Sequence, residues 1–323
     1  MVKRIAVMTS GGDSPGMNAA IRAVVRTGME LDFEVYGVRQ AYTGLLNGDF
    51  GLLTSVEVSG ILQRGGTILQ TARNEEFKTP AGQKKALRRL NEHKIDALIV
   101  IGGNGSLTGA QKLHEAGFQV IGVPGSIDND IFGTDMAIGV DTALNTILDA
   151  LDRLRDTATS HQRAFIIETM GRGSGYLALM GSILGGAELV ITPEHEPTME
   201  EVATALEDSY VRGKSHAIAV IAEGASYSAT ALSDYLCKIP NVGFEIRVTI
   251  LGHVQRGGKP SAFDRLLATR MGVKAVELIR DGQRGVMVGL NGRKMEPIPL
   301  TDAISQLRPI SEEYFRMAKF LSR

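Results

Sequence analysis

The chain has 323 residues, 35 of them Lys or Arg and 36 Asp or Glu, for a formal net charge of −1, which excludes attachment to nucleic acid or anionic lipid by bulk charge but leaves room for local basic clusters. With 43% hydrophobic and 22% charged residues the composition is globular, the length fits about two domains of roughly 150 residues, and the single cysteine, Cys237, leaves no intrachain disulfide framework or cysteine-rich zinc site. Glycine is in excess, 38 residues or about 12% against a usual ~7%.

Taken in chain order, short apolar runs alternate with helix-length periodic segments. The pattern predicts a strand at 4–8, a helix at 17–29, a strand at 34–38, a helix at 81–93, a strand at 97–101, a helix at 106–116 and a strand at 119–123. It continues with a helix at 142–157, strands at 164–168 and 189–191, a helix at 199–212, strands at 217–222 and 247–250, a helix at 262–280 and a strand at 286–289. The strands are nearly all apolar, as in a parallel sheet covered on both faces. Over 142–157, Leu144, Ile147, Leu148, Leu151 and Leu154 form one stripe, with Asp149, Asp152, Arg153 and Asp156 off it. Such alternation predicts a doubly wound α/β architecture that binds ligands beyond the carboxyl ends of its strands. No Pro/Gly/Ser-rich linker marks a boundary and no apolar run is long enough to span a bilayer. The first apolar run is too short for a signal peptide, so cytoplasm is the expected location.

Glycines collect where that rule wants them. Gly11-Gly12-Asp13-Ser14-Pro15-Gly16, Gly102-Gly103-Asn104-Gly105-Ser106, Pro124-Gly125-Ser126 and Met170-Gly171-Arg172-Gly173-Ser174-Gly175 each follow a predicted strand. Such turns before helices expose N–H groups that suit phosphate. There is no G-x-x-x-x-G-K-[ST] and no G-x-G-x-x-G after a strand, so the P-loop and dinucleotide readings lose ground. Asp128 and Asp130 flank Asn129 in one loop; the pair suits proton abstraction from a hydroxyl, and equally an Asx-type turn. Arg73, Arg163, Arg172, Arg247 and Arg256 are expected in loops or at strand ends, where the guanidinium fork matches phosphate oxygens. His93, His114, His195 and His216 read as surface or packing residues. The combination points to phosphoryl transfer.

At this point the residues resemble the bacterial-type 6-phosphofructokinases. The resemblance rests on Thr9-Ser10-Gly11-Gly12-Asp13 with Pro15-Gly16-Met17-Asn18, Gly102–Ser106, Pro124–Asp130, Ser160-His161-Gln162-Arg163, Met170–Arg172 and Leu251-Gly252-His253-Val254-Gln255-Arg256-Gly257-Gly258, in the family's order. It implies transfer of the γ-phosphoryl of ATP to the 1-hydroxyl of fructose 6-phosphate, with Mg²⁺. Asp128 would be the general base and Asp130 its assistant, Ser126 would sit beside the transferring phosphate, and Arg172 and Gly12 would stabilise it. Gly12, Arg73, Gly103, Asn104, Gly105 and Ser106 would form the ATP site. Arg163, Arg247, His253 and Arg256 would hold the sugar phosphate, with Met170, Gly171 and Glu223 lining the sugar. Gly105 and Gly125, where pyrophosphate-dependent relatives carry Asp and Lys, favour a nucleotide donor.

The same resemblance implies two similar three-layer α/β domains with mostly parallel sheets and the active site in the cleft between them. The larger, ATP-binding domain would take 1–139 plus 252–305, and the smaller, fructose-6-phosphate-binding domain 140–251 plus 306–323. It also implies a homotetramer, with Arg163 and Arg247 crossing to a neighbouring subunit, and an effector site for ADP and phosphoenolpyruvate at Arg22, Arg26, Arg155, Glu188, Arg212 and Lys214. Departures from the family pattern are Ser55 and Gly60 near that effector site, Ser126 for the commoner threonine and Asn74 for an aromatic. The sharpest is Asn104 for the usual acid, which keeps a carbonyl oxygen toward Mg²⁺ but loses the charge. The alternatives are a pyrophosphate-dependent enzyme, a non-catalytic sugar-phosphate-binding regulatory subunit, and a kinase of NAD, which shares only the Gly-Gly-Asn-Gly loop pattern.

Overall fold

The structure is a computed structural model that describes residues 2–161, 163–240 and 242–322. Gln162, part of the 160–163 motif, lies outside them. The chain divides into two units, Met1–Thr142 with Arg256–Arg308, and Ala143–Gln255 with Pro309–Arg323, so it passes from one to the other three times. That interleaving is why no linker shows in the sequence.

The first unit runs β1 (Arg4–Ser10), α1 (Met17–Glu30), β2 (Glu34–Val38), α2 (Ala41–Asn47), β3 (Phe50–Leu53), a 3₁₀ turn at Glu76–Lys78, α3 (Pro80–Glu92), β4 (Ala97–Gly102), α4 (Asn104–Glu115) and β5 (Gln119–Pro124). Helix α5 (Val140–His161) then leads into the second unit, which holds β6 (Arg163–Thr169), α6 (Tyr176–Gly185), β7 (Leu189–Ile191), α7 (Met199–Val211), β8 (Ala217–Ala222), α8 (Ala229–Leu236) and β9 (Glu245–Ile250). A 3₁₀ turn at Gly252–Arg256 returns the chain to the first unit, with α9 (Ala262–Arg280), β10 (Val286–Asn291), β11 (Lys294–Pro299) and α10 (Leu300–Ala303); α11 (Glu312–Leu321) ends it in the second.

The first unit's sheet has the order β11-β10-β5-β4-β1-β2-β3. Its middle strands are parallel, and β11 and β3 are antiparallel edges. The interior strands Ala97–Ile101 and Ile5–Met8 are wholly buried, which their continuous apolar runs require. Helices α1 and α9 pack against one another and, with the sheet, close a core that includes Ile5, Val7, Ile21, Val24, Ile99, Ile121, Met271 and Val276. The second unit's sheet, β7-β8-β6-β9, is parallel throughout over a core that includes Ile166, Ile221, Leu206 and Leu232. Hydroxyl and carboxylate caps set its helix starts: Thr198 and Glu201 form a reciprocal capping box on α7, and Ser228 caps α8.

Two expectations are corrected here. Arg247 is the third residue of β9, opposite Phe165, and not at the start of a strand; β9 is an edge strand whose first residue is an exposed glutamate, so its apolar run begins later than the strand does. The sequence pattern also omits β3, β11, α2, α6, α8, α10 and α11.

Candidate active site

In the first unit, the pairings Ser10↔Gly102 and Gly102↔Pro124 end β1, β4 and β5 side by side. The loops beginning at Gly11, Gly103 and Gly125 therefore share the carboxyl edge of the sheet, where an open α/β sheet presents its ligand crevice. Gly125 donates its N–H to Gly102 O at 3.0 Å, locking the second and third loops together. Gly103 is extended and α4 begins at Asn104, so a helix N-terminus faces this edge. A Cβ built on Gly105 would meet nothing within 4 Å, and one on Gly103 would find Ser126 at 3.7 Å. The segment carrying Arg73 is tied to the first loop through Thr71, whose hydroxyl donates to Gly11 O at 2.9 Å; Arg73 itself is exposed.

The acid loop is built around Asn129, which the sequence marks only as a turn former. Its φ is +50°, its Oδ1 accepts from Ala137 N at 3.0 Å and its Nδ2 donates to Asp135 O at 3.3 Å. Held in this way, Asn129 sets the backbone that carries Asp128 and Asp130. Asp128 is only 4% exposed, and its N–H donates to Ser126 Oγ at 3.2 Å. Asp130 O accepts from Arg308 N at 2.9 Å, and Asp130 Oδ2 accepts from Asn104 Nδ2 at 2.9 Å. Asn129 thus holds the loop through residues six and eight positions on, and the short side-chain turn beside the acid pair is closed by the Ser126 hydroxyl.

Arg256 completes the first unit's set. A Cβ on Gly12 would lie 2.7 Å from Arg256 Nη1, so the guanidinium rests against the bare Gly12 backbone, an approach that only glycine permits.

In the second unit β6 runs out into Met170, Gly171 and Arg172. Met170 is 5% exposed, and its N–H donates to Oε1 of the fully buried Gln255 at 3.3 Å. The turn is left-handed at Gly171 (φ +145°) and at Arg172 (φ +52°). Glu223 meets it directly: its Oε1 accepts from Arg172 N at 3.0 Å and from Gly171 N at 3.3 Å, while Glu223 N donates to Thr169 O at 2.8 Å. Arg163 and Arg247 also come together, through Glu245, which no sequence motif singles out. Arg163 stands directly opposite Glu245 in the β6–β9 pairing. Glu245 accepts from Arg163 Nε at 2.7 Å on one oxygen and from Arg247 Nη2 on the other. The Glu-x-Arg alternation at 245–247, which puts both side chains on one face of a strand, was the available signal. His253 lies exposed in the 3₁₀ turn.

Of the expected effector residues, Arg155, Glu188 and Lys214 sit close in the second unit. Arg155 Nη2 donates to Gly186 O at 2.9 Å, Lys214 Nζ approaches Glu188 Oε1 at 3.4 Å, and Glu188 Oε2 accepts from Ile218 N at 2.8 Å. Arg212 follows α7, with its Nε on Asp208 O at 3.2 Å. Arg22 and Arg26 lie on α1, in the first unit.

Among the described residues no group of three or more His, Cys, Asp or Glu is arranged to hold a metal. The Asn104 amide oxygen is nonetheless a hard donor, buried and without a hydrogen-bond partner among the described residues. That fits one position on Mg²⁺, a cation that fills most of its octahedron with water and substrate phosphate.

Comparison with known proteins decides the family, since the Phosphofructokinase pattern matches residues 4–279. The chain belongs to the phosphofructokinase family. Two phosphofructokinase relatives are similar over 99% of this chain and 100% of their own length: the "ATP-dependent 6-phosphofructokinase" of Thermotoga neapolitana, 52% identical over 322 residues, and that of Clostridioides difficile, 50% identical over 321. Among solved structures, Pichia pastoris phosphofructokinase in the T-state superposes with a TM-score of 0.90 at 37% identity, covering 94% of this chain and 36% of that longer one. A pyrophosphate-dependent phosphofructokinase from Marinobacter aquaeolei, 22% identical, shares the fold with a TM-score of 0.85 over 97% of this chain and 86% of its own.

Proposed function

We propose that the chain is an ATP-dependent 6-phosphofructokinase that transfers the γ-phosphoryl group of ATP to the 1-hydroxyl of D-fructose 6-phosphate. The observation that carries this reading is the lateral alignment of the glycine loop at 103–106 with the acid loop at 126–130 on one sheet edge. A phosphate donor and a proton acceptor are thereby offered side by side, which is what phosphoryl transfer needs from a protein.

Gly12, Gly103, Asn104, Gly105 and Ser106 cradle the donor with backbone N–H groups and the α4 N-terminus, and Arg73 meets its phosphates. The open space at Gly105 supports a nucleotide over pyrophosphate. Asp128 takes the proton from the 1-hydroxyl, Asp130 assists, and the Ser126 hydroxyl lies beside the group in transit. Arg172 and the Gly12 N–H stabilise charge on the transferring oxygens. Arg163, Arg247, His253 and Arg256 hold the 6-phosphate, with Met170, Gly171 and Glu223 against the sugar. Mg²⁺ supplies charge neutralisation at the donor phosphates, and Asn104 Oδ1 is the protein oxygen offered to it.

We read the active form as a cytoplasmic homotetramer in which Arg163 and Arg247 serve a neighbouring subunit. ADP and phosphoenolpyruvate act as effectors, with Arg22, Arg26, Arg155, Glu188, Arg212 and Lys214 as the residues that serve them. The deciding experiment measures fructose 1,6-bisphosphate formation by the purified chain with ATP and, separately, with pyrophosphate. Product with ATP only is expected. Product with pyrophosphate only overturns the donor assignment, and no product with either makes the chain a binding subunit.

A further inference from the structure

Asn104 occupies a place where its two amide atoms face different demands. The nitrogen must face Asp130, because a carboxylate accepts and does not donate; it does so at 2.9 Å from Oδ2. The oxygen faces the other way, buried and without a hydrogen-bond partner among the described residues. Asn104 is the first residue of α4, and Asp130 closes the acid loop that Asn129 and Arg308 hold through the backbone. One neutral amide therefore ties the start of the donor helix to the end of the acceptor loop.

A carboxylate at position 104 could make this tie only through a shared proton or a bound cation. Two carboxylates at hydrogen-bond distance repel unless a proton or a cation lies between them. We infer that Asn104 is a positioning residue that fastens α4 to Asp130 without a cation, so that in this chain the two loops keep their mutual geometry whether or not Mg²⁺ is bound. The assignment of those loops to donor and acceptor rests on the function proposed above; the tie itself does not. Divalent metal is then needed for the nucleotide phosphates and not for assembling the protein side of the site.

The test uses thermal unfolding of the full-length protein with no nucleotide or sugar, in millimolar Mg²⁺ and in EDTA at matched ionic strength. Wild type should melt at the same temperature in both. Asn104→Asp should melt several degrees lower in EDTA and recover most of that loss in Mg²⁺, a dependence that a merely structural asparagine would not produce. Asn104→Ala, which removes the tie without adding charge, should lose stability equally in both buffers and keeps the test open if the aspartate variant does not fold. The inference is overturned if wild type itself needs Mg²⁺ for its melting temperature, or if Asn104→Asp melts alike with and without the metal. Because no substrate is present, these outcomes stand apart from whether the chain phosphorylates fructose 6-phosphate.

Discussion

Glu223 holds the turn at Arg172 through the backbone: one carboxylate oxygen accepts both the Arg172 and the Gly171 N–H groups, at 3.0 and 3.3 Å. A non-glycine residue at φ +52° is costly in isolation and persists only when its surroundings over-determine it. Glu223 supplies that restraint, so its part in the proposed reaction exceeds lining the sugar. Glu223→Ala should lower kcat by roughly ten- to a hundredfold as well as raising KM for fructose 6-phosphate, since Arg172 loses its aim. Glu223→Gln retains an acceptor oxygen for the turn, and its defect should fall mainly on KM. Steady-state kinetics on both variants checks this, and equal kcat values in Glu223→Ala and wild type would remove the positioning role.

Gly12 offers a second separation of structure from function. An added Cβ meets only the end of the Arg256 side chain, 2.7 Å from Nη1, and a long side chain can swing aside. Gly12→Ala should therefore leave the melting temperature almost unchanged. The displaced guanidinium should cost a charge-assisted contact to the sugar phosphate worth about 1.5–3 kcal/mol, read as a rise of roughly tenfold or more in KM for fructose 6-phosphate. An unchanged KM would place Arg256 outside the phosphate site.

The contrast between what the sequence displayed and what it hid follows from burial. The interior parallel strands β1, β4, β5 and β8 are covered on both faces, so each is an unbroken apolar run that names itself. The edges are not covered. Strand β11, Lys-Met-Glu-Pro-Ile-Pro, carries two prolines and is half exposed, and β3 is four residues with two glycine or phenylalanine positions only partly buried. Helix α6 fails for the opposite reason: every residue from Tyr176 to Ser182 is buried, so no polar face marks a period of 3.6. In the site, the glycine loops and the Asp-Asn-Asp triplet were legible because turn chemistry is local. Two partnerships were not, Glu245 with Arg163 and Gln255 with Met170, because each joins residues 82 or more positions apart.

Glu245 draws both Arg163 and Arg247 onto one carboxylate. Under the proposed function those guanidinium groups must release it, at least in part, to grip a sugar phosphate. Exposed pairs of this kind contribute about 0.2–1 kcal/mol each. Glu245→Gln should consequently lower the half-saturating concentration of fructose 6-phosphate, by roughly two- to fivefold, with little change in melting temperature. A raised half-saturation would mean that Glu245 aims the arginines and does not compete for them.

Asp264 gives the fold a pH signature. It is fully buried at the start of α9, where it accepts from Gly139 N and Thr142 N at 2.8 Å each and from the Thr142 hydroxyl at 2.6 Å, joining α9 to the beginning of α5. Burial pushes its carboxyl above the ordinary value near 3.8, against the downward pull of those three donors and with Asp141 adding a like charge. A carboxyl whose folded pKa is raised binds protons more readily folded than unfolded. Its stabilising contribution is therefore complete below about 3.8 and is lost as pH rises through the folded pKa. Asp264→Asn cannot titrate and turns an N–H₂ toward backbone donors, so it should be less stable than wild type at every pH. The gap between the two melting temperatures should widen as pH falls from 7 toward 4, because only wild type gains from protonation at this site. A gap that narrows on acidification would show that the three donors, and not burial, set the carboxyl's affinity for its proton.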